Sequence, residues 1–115
     1  VYGLRFVDSP RIVATYDAEY KQPMMEGKVE CIKSYIAPNY NNRGPVLVGG
    51  DSNGDVPMLT AFDDTRASLI IDVKRNPESN IGRLATKAKS EDNEGRYLLQ
   101  PAFAKAKSDI EFEGI

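Results

Sequence analysis

Histidine is absent from this 115-residue chain, and cysteine occurs once, at Cys31. Without imidazole, neither a Ser-His-Asp relay nor a Cys-His pair can activate a nucleophile, and most zinc sites lose a principal ligand. A single thiol closes no internal disulfide, so cysteine usage marks no compartment. No apolar run approaches the roughly 20 residues that span a bilayer, and no targeting segment is visible. A large excess of either charge is missing as well. The net charge is −2, and the nearest basic cluster, Lys87 and Lys89 with Lys105 and Lys107, is spread among Asp and Glu. That leaves no nucleic-acid footprint. Any catalysis must run on carboxylates, Lys, Arg, hydroxyls or a hard metal ion.

What is present is ordinary for a globular protein, with 41% hydrophobic and 28% charged residues. A chain of this size is one domain or part of one, burying roughly two thirds of its unfolded surface. Val1 is not an initiator Met and lies directly in strand-like sequence, which predicts a piece cut from a longer protein.

Residues 1–7 and 11–17 are rich in β-branched and aromatic side chains and flank Asp8-Ser9-Pro10, which predicts a hairpin or two short strands. Val29, Ile32 and Ile36 recur at helical spacing, so 26–38 is expected to be a helix closed by Pro38. Cys31 falls one position past that apolar line and is given no redox role. After a polar loop at 39–44, the run at 45–50 is expected to be a buried parallel strand. A short helix should follow at about 55–62, with Asp55 as its cap, Pro57 in the first turn, and Val56, Leu59 and Phe62 inward. Residues 67–73 predict another buried strand, and 76–89 a helix with Ile81, Leu84, Ala85 and Ala88 on one side. A charged loop at 90–95, an edge strand at 96–100 and a poorly ordered last 15 residues complete the pattern. The six tyrosines are scattered and suggest no stacking platform. Strands alternating with helices imply an α/β fold with a mostly parallel sheet.

Chemistry concentrates in one stretch, Gly49-Gly50-Asp51-Ser52-Asn53-Gly54-Asp55. Oxygen ligands at alternate positions suggest a calcium loop, but its sixth position would be Val56 and its twelfth Phe62. Neither can make the sharp turn or the bidentate contact that calcium needs. The position of Asp51 fits magnesium better. It lies past the carboxyl end of a strand, where open α/β sheets bind ligands, and magnesium takes one or two carboxylates plus substrate oxygens. Asp55 is either a second support for the ion or a plain helix cap.

The residues VLVGGDSNGDVPML resemble the fourth motif of the haloacid dehalogenase-like hydrolases, an apolar strand followed by G-D-S-x-x-D-x-P-M-L. EGKVECIKSYI is similar to that family's third motif, a Lys at a helix start about two dozen residues earlier. LIIDVKRNPESNIGRLATKA is similar to the family's last core strand, its Asn-Pro turn and the helix after it, and VYGLRF and GRYLLQ are similar to flanking segments in the phosphoserine-phosphatase-like branch, which includes phosphorylcholine-type phosphatases. The resemblance covers residues 1–100, leaves 101–115 as a tail and contains no complete second domain. It implies a Rossmann-like three-layer sandwich missing its first strands. It further implies a Mg2+-dependent hydrolase of small phosphomonoesters acting through an aspartyl-phosphate. Asp51 and Asp55 would be the metal residues. Lys28 and Asp55 would be the catalytic residues, and Lys28, Ser52 and Asn53 would contact substrate.

The family's nucleophile, an Asp in D-x-D after the first core strand, is missing, and so is the Ser or Thr after the second. The resemblance therefore implies a partner: the N-terminal part of the same protein, carrying the nucleophile. This chain alone is then expected to be inactive. A different class stays open, a non-catalytic α/β cation-binding or interaction module in which Asp51 only binds a cation or caps a loop.

Overall fold

A computed structural model describes residues 2–7, 15–93 and 95–102. The expected turn at Asp8-Ser9-Pro10 and nearly all of the expected tail fall outside these residues. Three parallel strands form the sheet: β1 (Leu47–Gly50), β2 (Ala67–Asp72) and β3 (Tyr97–Pro101), in the order β1-β2-β3. Between them run α2 (Val56–Thr60) and α3 (Asn80–Lys89), and before them α1 (Glu26–Cys31). The fold is α/β, as the alternating pattern requires.

Register decides which face is buried. Val48 pairs with Ser68 and Ser68 with Tyr97, while Gly50 pairs with Ile70. Val48, Ile70 and Tyr97 therefore share one face, and they bury Leu59 of α2 with Ile81 and Leu84 of α3 in the main core. Leu59 and Ile70 are fully enclosed, each worth about 2 kcal/mol of hydrophobic transfer. The Ser68 hydroxyl donates to the Leu59 carbonyl at 2.7 Å, so this one polar core group is satisfied. The opposite face carries exposed Leu47 and Leu98. Of the three layers expected of a Rossmann-like sandwich, sheet and one helical layer are formed by the described residues.

Several boundaries differ from expectation for identifiable reasons. The helix expected over 26–38 is α-helical only to Cys31; Ile32–Ile36 widens to a π turn, and Ala37–Tyr40 tightens to a 3-10 turn. Pro38 has no N–H to offer the preceding turn, and the Tyr35 carbonyl accepts instead from Asn39 Nδ2 at 3.2 Å and Tyr2 Oη at 3.3 Å. Cys31 is buried, not beside the core: its thiol donates to the Lys21 carbonyl at 2.6 Å, beneath a segment that sequence periodicity could not place. Burial, with Glu30 nearby, pushes its pKa up and keeps the thiol protonated.

The tyrosines are not all scattered. Tyr2, Tyr35 and Tyr20 stack in one column, with centroids 5.8 and 5.2 Å apart, and the Arg5 guanidinium lies 5.2 Å from the Tyr20 ring centre. That column holds residues 2–7 and 15–20 against the α1 segment. Phe6 bridges Tyr16 in antiparallel fashion, as a hairpin would, but this pair stands apart from the three-stranded sheet.

Candidate functional site

The carboxyl end of β1 is shaped by a close approach. A Cβ on Gly50 would overlap Asp55 Cβ and Cγ, so only glycine lets the loop fold back over the strand. Ser52 caps the 3-10 turn Asn53–Asp55, which leads into α2, and Asp55 reciprocates as the third residue of a capping box. Asp55 holds the N-cap position of α2 as expected, but its side chain makes no cap hydrogen bond there and works backward into the loop.

Asp55 has little room for anything else. Its Oδ2 accepts from the amides of Asp51 and Ser52, both at 3.1 Å, and from Ser52 Oγ at 2.9 Å. Its Oδ1 is paired with Lys28 Nζ. The carboxylate is 9% exposed and the lysine side chain 31%. Burial pushes the Asp55 pKa up, but the hydrogen bonds from Lys28, Ser52 and the Asp51 amide outweigh it, and the net shift is down. Asp55 is therefore held ionised.

Lys28 reaches this carboxylate from the first turn of α1. The residue before that helix is Met25, at its N-cap, whose φ of 50° is uncommon for a side chain of this size. Gly27 follows, where a Cβ would overlap the Gln22 carbonyl. The start of the helix is thus wedged against residues 22–25, which fixes where Lys28 emerges.

Asp51 is the more open acid, with its side chain 47% exposed. Arg75 holds it: Nη2 lies 3.3 Å from Oδ2 and Nε lies 3.3 Å from the Asp51 carbonyl. Oδ1 accepts no hydrogen bond from the described residues. Asn53 Oδ1 accepts from the Ile81 amide at 2.9 Å, tying the loop to the first turn of α3. Ser52 and Asn53, expected near substrate, thus commit their oxygens within the protein. The exposed side of the loop opens on a cleft of about 400 Å³ lined by Ser52, Asn53, Gly54, Arg75, Asn76 and Ser79.

Five expected residues, Lys28, Asp51, Ser52, Asn53 and Asp55, converge at one place. Arg75 was missed. The available signal was a cation just past the carboxyl end of β2, on the same sheet edge as Asp51. Among the described residues no three Asp, Glu, Cys or His side chains cluster to hold a metal. The donor set still fits magnesium as a half-site: Asp51 Oδ1 is available, whereas both oxygens of Asp55 are taken, which suits Asp55 to support and not to direct ligation.

No family model matches the chain, and no curated protein does. A solved structure does: a conserved, functionally unknown protein from Anaerococcus prevotii DSM 20548, at 37% identity and a TM-score of 0.64 over 83% of this chain. The alignment covers 24% of that protein, so the chain spans about a quarter of its structural relative.

Proposed function

We propose that this chain is the C-terminal part of a Mg2+-dependent, haloacid dehalogenase-like phosphatase of small phosphomonoesters, with its nucleophilic aspartate supplied by the N-terminal part of the same protein. The observation that carries the reading is the convergence of Lys28, from 27 residues upstream, on Asp55, directly beside Asp51 at the carboxyl end of a parallel strand. The open edge of β1 supports it further. Val46 and Leu47 are 65% and 66% exposed beside a groove lined by Ile32, Ile36 and Met58. Such an edge suits another strand better than solvent.

Each residue then has a task. Asp51 Oδ1 is the protein oxygen for the ion, which when bound would draw charge from the phosphoryl oxygens. Lys28 presents an ammonium to the same anion, and Asp55 keeps that ammonium in place. Ser52 and Asn53 hold the loop in shape through Asp55 and α3. In the full-length protein, Asp51→Asn is expected to abolish Mg2+-dependent phosphate release from an aryl phosphate; full activity in that variant overturns the proposal.

Of the second reading, a non-catalytic cation-binding or interaction module, the pairing of Asp55 with Lys28 and of Asp51 with Arg75 favours the interaction form, because it leaves the loop little net negative charge to draw a metal ion. It predicts that the unmodified full-length protein releases no phosphate under the same conditions.

A further inference from the structure

The loop's charges cancel. Asp55 is matched by Lys28, and Asp51 by Arg75, so a divalent ion arriving alone would leave the site strongly positive. Arg75 is placed for this by two fixed turns. On one side the Lys74 amide donates to Asp72 Oδ1 at 3.0 Å, with Lys74 at φ 60°. On the other the Glu78 amide donates to Asn76 Oδ1 at 2.9 Å. The backbone on both sides of Arg75 is thereby set by side chains, and Arg75, which lines the cleft, makes a two-point contact with Asp51 through its guanidinium.

We infer that Arg75 is a positioning residue that makes cation binding at Asp51 conditional on an oxyanion in the adjoining cleft. The inference rests on the metal role of Asp51 in the proposed function. Alone, the ion meets a carboxylate whose charge Arg75 already neutralises. With an oxyanion present, the guanidinium has a bidentate partner of matching geometry and releases Asp51 Oδ2. Ion and anion then bind cooperatively, each raising the affinity of the other by the same factor.

Even with water-like screening, a unit charge about 6 Å from a divalent ion lowers its affinity on the order of tenfold. Titration of the full-length protein with Mn2+, with and without inorganic phosphate, reads this directly. Arg75→Gln and Arg75→Met should bind Mn2+ alone about tenfold more tightly than the parent, and phosphate should then strengthen Mn2+ binding far less. Arg75→Lys, which keeps the charge, should stay near the parent in Mn2+ affinity. Unchanged or weaker Mn2+ affinity in Arg75→Gln and Arg75→Met, or undiminished coupling to phosphate, overturns the inference. Asp51→Asn separates the two ideas. If it loses Mn2+ while the Arg75 variants match the parent, only the role of Arg75 fails. If it binds Mn2+ as the parent does, the metal role of Asp51 fails and takes this inference with it.

Discussion

Truncating Asp55 to alanine removes more than one ion pair. Three donors lose their acceptor at once, the Asp51 and Ser52 amides and the Ser52 hydroxyl, together with the Lys28 ammonium. A hydrogen bond to a charged acceptor contributes about 1.5–3 kcal/mol, but water can enter from the open side of the loop and satisfy part of the set. Lys28 is partly exposed and can rehydrate, so its stranding costs less than the 3–5 kcal/mol typical of a fully buried pair. The sum for Asp55→Ala is about 3–5 kcal/mol, a large share of the roughly 5–15 kcal/mol that holds a domain folded. Lys28→Met is milder: the carboxylate keeps its three loop donors, and about 1–2 kcal/mol is lost. Urea unfolding followed by circular dichroism measures both, and the double variant gives the coupling between them. Equal costs for the two single variants, or an Asp55→Ala cost below about 1 kcal/mol, would refute the assignment of Asp55 as the loop's anchor.

The same carboxylate sets a pH dependence. Its folded pKa lies below the ordinary value of 3.8, so its contribution is complete above that value and is lost as pH falls through the lowered folded one. Acid titration of stability should therefore show a loss beginning near pH 4 that is reduced in Asp55→Asn; identical acid limbs would contradict the assignment. Gly50→Ala forces a Cβ into Asp55 and should cost about 1–3 kcal/mol in the same urea assay, whereas a neutral result would mean that the loop relaxes away from the strand.

Periodicity located the elements that form the core, because those elements answer to one rule each. Ile81, Leu84, Ala85 and Ala88 recur at helical spacing, and α3 buries or half-buries all four. The strand at 67–72 carries Leu69, Ile70 and Ile71 in succession, and it occupies the centre of a parallel sheet. The misplaced features answer to contacts distant in sequence. The Cys31 thiol meets the Lys21 carbonyl, the tyrosine column joins positions 2, 20 and 35, and the Tyr35 carbonyl accepts from Tyr2 Oη. No window of local sequence contains those partners.

The loop shows the same division within five residues. That Asp51 and Asp55 share a site was legible, because both sit between a strand end and a helix start, where backbone direction brings them together. What each can do was not, because it depends on donors from elsewhere. Lys28 and the loop's own amides saturate Asp55, and Arg75 takes one oxygen of Asp51. Two acids whose sequence positions leave Asp55 open between ion support and cap are thus told apart by their donors, one buried and committed, the other open on one oxygen. A cation drawn to this loop would meet Asp51 first, and substitution of the two acids should separate their effects: Asp55 through stability, Asp51 through binding.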